Sequence, residues 1–215
     1  MISLHFAAKV CDTTKSNNLI ILALGNAGGF RQLSNNKHPI KSPADLKGLK
    51  IRTTGMQTID LTYKALGAST VSTPYNDLYM SLKTGVVDGQ ENPWINVVGM
   101  KFYEVQKYFT VINYQFQPDP FYVNLQWYNS LPADYQKIVK TAAVNMMKIN
   151  DDAIDKNEIQ ALNTIKKSAD VYTPSAAELQ QFKDATKSVY DEYIKLGKIT
   201  KDELATMQDI VAKSK

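Results

Sequence analysis

The sequence holds a single cysteine, Cys11, in 215 residues, so no disulfide can close within the chain. Its two histidines, His5 and His38, stand far apart and in no Cys/His spacing that suits a metal. Both are read as structural, and neither a metal nor a cofactor is expected. No apolar run reaches the ~18 residues that a membrane-spanning helix needs. There is no P-loop, no HExxH and no nucleophile–base pattern, so the motifs of the common enzyme classes are missing and an enzyme is not expected. The lysines are scattered rather than clustered. A formal net charge of +4 steers anions gently but leaves no nucleic-acid footprint. Met1 to Val10 contain one strand-like stretch, with neither a basic start nor a long apolar segment, and do not read as a secretory signal peptide. No internal repeat and no low-complexity tail is present.

What is there has the balance of a folded domain: 44% hydrophobic and 21% charged residues. The length suits one substantial domain or two small lobes. Residues 12–19 are polar and read as loop. The apolar run Leu19-Ile20-Ile21-Leu22-Ala23-Leu24 suits a buried strand that Gly25, Gly28 and Gly29 bring to an end. Ser42 and Pro43 open a helical turn, residues 49–53 alternate as a strand, and residues 56–66 carry apolar side chains at helical spacing up to Gly67. A second strand over 69–74 and a second helix over 75–83 follow. This alternation predicts an α/β lobe with a largely parallel sheet. Val86 and Val87 read as a very short strand, and Asn92 as the N-cap of a helix begun by Pro93 that runs to about Val105. Residues 108–117 and 121–127 read as two strands parted by Pro118 and Pro120. From Pro132 to about Lys167 an apolar stripe (Tyr135, Ile138, Val139, Ala142, Met146, Ile149, Ile154, Ile159, Leu162, Ile165) predicts one long helix, or two broken near Asp151-Asp152. Val171 and Tyr172 read as extended, and Met146 and Met147 as core filler. Ser175 with Glu178, and Thr200 with Glu203, have capping-box spacing and open the last helices.

Four segments carry a resemblance. They are Gly29-Phe30-Arg31-Gln32-Leu33, Asp45-Leu46-Lys47-Gly48-Leu49-Lys50-Ile51-Arg52, the stretch from Gly85 through Asp88-Gly89-Gln90-Glu91-Asn92-Pro93, and Lys101 to Tyr108. In this order and spacing they resemble the solute-binding subunits of the tripartite ATP-independent periplasmic (TRAP) transporters, the dicarboxylate-binding family, from about residue 25 to about 200. The resemblance implies a two-lobed α/β fold of the periplasmic-binding-protein kind with a long interlobe helix. It implies capture of an organic-acid anion outside the cytoplasmic membrane and delivery to the membrane permease subunits. It further implies that this chain lacks about a hundred opening residues with the signal peptide, so that the first lobe is incomplete. The expected division is 1–28 for a remnant of lobe 1 and its junction and 29–117 for the main α/β part of lobe 2. Residues 118–158 would be a returning lobe 1 strand with the start of the long helix, and 159–215 the rest of that helix with the C-terminal helices on lobe 2.

Arg52 heads the expected site. A guanidinium presents a planar fork of donors that matches a carboxylate, and the resemblance makes this position the main carboxylate binder; the alternative is a solvated strand-end arginine. Asn92 is expected to donate to the same carboxylate, with helix capping as its alternative role. Arg31 either touches ligand or braces the site through a salt bridge, and Glu91 is expected to orient its neighbours. Tyr75 is an aromatic wall or a core residue, and Trp94, Tyr114 and Gln90 are further wall candidates. Gly55, where relatives place a polar side chain, points to a smaller acid. A four-carbon dicarboxylate is the first choice of ligand, with a monocarboxylate or sugar acid next. The competing readings are a truncated remnant without binding activity, exposing apolar surface and self-associating, and an enzyme on an acidic substrate.

Overall fold

The computed structural model describes residues 14–213; the strand-like stretch Met1–Val10, His5 and Cys11 lie outside the described residues. Six strands, β1 (Leu19–Asn35), β2 (Lys50–Thr53), β3 (Ser69–Ser72), β4 (Gly89–Asn92), β5 (Tyr108–Asn124) and β6 (Asp170–Tyr172), form one sheet in the order β3-β2-β4-β1-β5-β6. The helices are α1 (Gln57–Ala65), α2 (Leu78–Lys83), α3 (Trp94–Gly99), α4 (Leu125–Ser130), α5 (Ala133–Ile165), α6 (Ala176–Ala185), α7 (Lys187–Lys195) and α8 (Lys201–Lys213). The sheet is mixed rather than largely parallel. β2 pairs in parallel with β3 and β4, and β5 with β6, but β1 runs antiparallel to both β4 and β5.

Two apolar clusters sandwich the sheet. Leu33, Ile51 and Ile112 pack with Ile59 and Tyr63 of α1 and Phe182 of α6 on one face. Phe109 packs with Leu78 and Leu82 of α2, Trp94 and Val97 of α3, Phe102, and Ala161 and Ile165 of α5 on the other. Each such side chain removed from water contributes about 1.5–3 kcal/mol. The strand expected at Val86-Val87 lies one step further on. Val87 is a core plug at 1% exposure, Val86 is exposed, and the ladder begins at Gly89.

β1 and β5 are longer than the sequence suggests, and both run on past the rest of the sheet. The glycines do not end β1; they bend it. Its register against β5 shifts between Asn26 and Phe30, with Gly28 and Gly29 at positive φ. Pro118 and Pro120 do not interrupt β5. They pair in register with Asn26 and Leu24, on a stretch whose other edge β6 leaves uncovered, where a missing N–H costs no ladder bond. The strand expected over 121–127 stops at Asn124, whose side chain accepts from the Trp127 N–H and starts α4. Beyond the six-stranded body, β1 and β5 thus form a two-stranded ribbon with its own small core of Leu22, Tyr128 and Ala143.

α5 ties ribbon to body. It runs unbroken for 33 residues, about 50 Å, through Asp151 and Asp152. Its buried stripe is Ala143, Met147, Ile154, Ala161 and Ile165. The expected stripe was partly on the wrong face: Tyr135, Ile138, Ile149 and Ile159 are exposed, as is Met146, while Met147 is core. Phe121, Ile138, Val139, Ala142, Ala143 and Met146 line an apolar groove of about 370 Å³ on the ribbon side. Both capping boxes form, at Ser175–Glu178 and at Thr200–Glu203. The helix expected from Ser175 to Leu196 breaks at Thr186 into α6 and α7.

Candidate ligand-binding site

In an open parallel array the loops beyond the carboxyl ends of the strands form the crevice. Here those ends are Thr53, Ser72 and Asn92, and the polar residues of the sequence converge on them. Arg52 pairs in register with Gln90 of β4, and Ser34 of β1 pairs with Gln90, so these side chains share one face of the sheet. Glu91 pairs with Leu33 and so stands on the opposite face, toward Tyr63 of α1.

Arg31 is 5% exposed and Glu91 0%. The guanidinium donates from Nε and Nη2 to both carboxylate oxygens of Glu91, and Nη2 also reaches the Glu91 carbonyl at 2.9 Å and Asn92 Oδ1 at 3.2 Å. Nη1 donates to Gln117 Oε1 at 2.9 Å. Tyr114 donates its hydroxyl to Glu91 as well. Burial works against the charge of Arg31, yet the hydrogen bonds and charge of Glu91 raise its pKa. Burial pushes the Tyr114 hydroxyl well up, with the negative field of Glu91 behind it, so it stays a donor. Arg31 therefore serves as the brace that was one of its two expected roles, and Tyr114, a wall candidate, completes that brace.

Asn92 is not a helix cap. It ends β4 and Pro93 caps α3, because Gly89 and the three polar residues Gln90-Glu91-Asn92 are the strand itself, wholly buried between β2 and β1. Asn92 Nδ2 donates to Gln90 Oε1, Gln90 Nε2 to Ser34 Oγ at 2.9 Å, and Ser34 Oγ to Gln106 Oε1 at 3.0 Å. Each of these buried amides finds a partner, which is what lets a polar strand sit at the centre of a sheet.

Arg52 differs from all of them. It is 4% exposed, and its Nε and Nη2 donate to one neutral acceptor, the Thr73 carbonyl, at 2.9 and 2.6 Å. Among the described residues no carboxylate lies within ion-pair distance of it, and Nη1 has no acceptor. Nη1 is not sealed in either, since the Tyr63 hydroxyl is the one buried polar side-chain atom left unpaired among the described residues. Burial pulls the pKa of Arg52 down, Glu91 opposes this, and the like charge of Arg31 adds to the lowering. Holding a guanidinium out of water without a counter-charge costs several kcal/mol. The spare donors therefore form a ready fork for an anion.

Tyr75 is half-buried, edge-on to Phe102 at 5.9 Å, with the Asn96 side chain near its hydroxyl. Asn96, absent from the expected set, lies against Gly28 at the bend in β1. Trp94 is withdrawn from the wall: at 3% exposure its ring packs 6.0 Å from Phe109 in the apolar core. Gly55 has φ +81°, and a β-carbon there would lie 2.8 Å from Ser72 Oγ, so the position is closed to most side chains. The ~370 Å³ apolar groove shares no residue with this polar site. A sequence signal for the site went unread: only 2 of the 25 cationic residues are arginine, Arg31 and Arg52, and both are here.

Comparison with known proteins identifies the family. The model of bacterial extracellular solute-binding proteins, family 7, matches residues 2–196. The C4-dicarboxylate-binding periplasmic protein DctP of Vibrio cholerae is 33% identical over 170 residues, 78% of this chain and 50% of that protein. The chain spans about half the length, or less, of the curated relatives it matches. Among solved structures, a TRAP periplasmic solute-binding protein from Ralstonia eutropha H16 with bound (S)-2-acetolactate superposes with a TM-score of 0.89 at 32% identity, covering 96% of this chain and 67% of that one. One from Shewanella oneidensis with bound succinate gives 0.81 at 28%, covering 87% and 62%. These structures share the two-lobed α/β architecture of periplasmic binding proteins, and this chain superposes on about two thirds of each. With a family model over most of its length and a common fold, the chain belongs to the bacterial extracellular solute-binding proteins of family 7, the periplasmic solute-binding proteins of TRAP transporters, a family of binding proteins rather than enzymes.

Proposed function

We propose that the protein captures a small organic acid by its carboxylate on Arg52 and presents it to the membrane permease subunits of a TRAP transporter. The observation that carries this reading is the buried guanidinium of Arg52, which has spare donors and no carboxylate partner among the described residues. Asn92, Gln90 and Arg31 hold the floor beside it, and Tyr75 covers the carbon skeleton of the ligand. The six-stranded body with α6–α8 is one lobe. The ribbon of β1 and β5 with the first half of α5 belongs to the other, and the acid lies where they meet. The relatives' ligands, succinate in one structure and acetolactate in another, both carry a carboxylate that this fork fits. A four-carbon dicarboxylate is within the class, as are hydroxy, oxo and sugar acids.

Isothermal titration of the chain against succinate, acetolactate, glucuronate, a neutral sugar and an amine tests the class. Binding of acids alone, weakened at least tenfold by Arg52→Lys, which keeps the charge but loses the planar fork, is the expected result. Binding of the sugar or the amine with no acid bound overturns it.

A further inference from the structure

The charge on the site can be counted. Two arginines are present in the sequence, and the other 23 cationic side chains are lysines. Every described lysine is exposed, while both arginines are buried. The charge of Arg31 is cancelled where it stands, by a buried carboxylate that takes two of its nitrogens. The charged and polar groups that act on Arg52 are Glu91, Arg31 and Tyr75, with no lysine among them. Among the described residues the two arginines and Glu91 therefore leave the floor with one positive charge to spare.

The wall leading away from Arg52 adds none. Tyr75 follows, neutral, with Asn96 beside it. Asn96 Oδ1 stands 3.1 Å from where a β-carbon on Gly28 would lie. The next residue, Gly29, faces the carboxylate of Glu158 on α5 at the same 3.1 Å. Asp151, seven residues earlier on α5, accepts from the Asn26 N–H at 2.7 Å. From Arg52 the sequence of groups is thus cation, hydroxyl, amide, glycine, carboxylate. A ligand laid along it meets one attractive charge, then hydrogen-bonding neutral groups, then like charge.

We infer that the site selects acids carrying a single negative charge, with hydroxyl, oxo or amide oxygens on the remainder, over dicarboxylates. This rests on the carboxylate-binding role proposed for Arg52 and narrows it. Among the described residues a second carboxylate gains no counter-charge and gives up its hydration to neutral donors, whereas an uncharged oxygen group is satisfied by the same hydroxyl and amides.

The probes are succinate and succinamate, nearly the same shape, one with two carboxylates and one with a carboxylate and an amide. Titration of the unmodified chain with each at pH 7.5 and equal ionic strength is expected to show succinamate binding at least tenfold more tightly. Arg52→Met, shown to be folded by a thermal midpoint no lower than that of the unmodified chain, is expected to abolish that binding. Succinate binding as tightly or more tightly, with both lost in Arg52→Met, overturns the single-charge inference and leaves the Arg52 reading standing. Succinamate binding that persists in folded Arg52→Met overturns both, as does failure of the unmodified chain to bind either acid.

Discussion

Replacing Glu91 by glutamine keeps the shape of the side chain and removes only its charge. The residue is 0% exposed and its carboxylate takes Arg31 Nε, Arg31 Nη2 and the Tyr114 hydroxyl. No cavity forms, so the cost comes from the guanidinium left buried without a counter-charge. Breaking a buried pair from one side costs about 3–5 kcal/mol. At roughly 2–4 °C per kcal/mol for a domain of this size, the thermal midpoint falls by about 6–20 °C. Arg31→Met alone strands the opposite charge and costs a similar amount. The double variant removes both charges and loses less than the sum of the two, by about 2–3 kcal/mol. Urea unfolding of all four proteins, compared at constant slope, reads the cycle directly. A single-variant loss below about 1 kcal/mol, the worth of an exposed pair, or strict additivity of the two losses, refutes the account of Arg31 as a charge-neutralised brace.

Two glycine substitutions separate steric from conformational cost. Gly89→Ala places a β-carbon into the Ser34 carbonyl oxygen across the central ladder and costs more than about 3 kcal/mol by chemical denaturation. Gly55→Ala meets only the movable Ser72 hydroxyl and retains the positive-φ penalty of about 1–2 kcal/mol; a larger loss at Gly55 than at Gly89 contradicts the register of β4. Burial, with the nearby charge of Asp155, raises the pKa of Glu158 above the ordinary carboxylate value. The native state then holds a proton that the unfolded chain has already released, so stability falls as pH rises from the ordinary value through the raised one. Glu158→Gln is expected to flatten that part of the profile, seen as a difference in urea midpoints between about pH 4 and pH 6; a profile unchanged by the substitution counts against the burial of this carboxylate.

The elements that sequence reveals are those whose pattern repeats. α5 was legible because apolar residues recur at helical spacing over nine turns, and the helix at Ser175 because a capping box is a local device. Even so, the stripe was read a residue or two out of phase, because α5 buries small residues such as Ala143 and Ala161 and leaves large ones such as Ile149 and Ile159 in water. β4 was illegible as a strand. Gly89-Gln90-Glu91-Asn92 has no alternation of apolar and polar residues, since its partners on both faces are amides, a hydroxyl and a guanidinium rather than a hydrocarbon core. Which arginine is spent internally and which is left with spare donors depends on three-dimensional pairing that no spacing encodes. The resemblance implied positions 31, 52 and 92 together; it did not tell that Arg31 is the one paired with Glu91. Trp94 was misplaced for a related reason, because an aromatic beside a polar motif carries no sign of which side of its helix the core lies on.

The bend in β1 has a mechanical meaning. Asn26 accepts the N–H groups of Gly28 and Gly29 on its own side chain, at 3.0 and 2.5 Å, while Asn150 and Asp151 of α5 grip its backbone from the other side. β1 and β5 run without a break on either side of this point. Anything that rotates ribbon against body must flex β1, β5 and the unbroken α5 together where Asn26 ties strand to helix, as in a leaf spring rather than a door on pins. Such a joint favours tilt over sliding, because every element that crosses it is hydrogen-bonded to another.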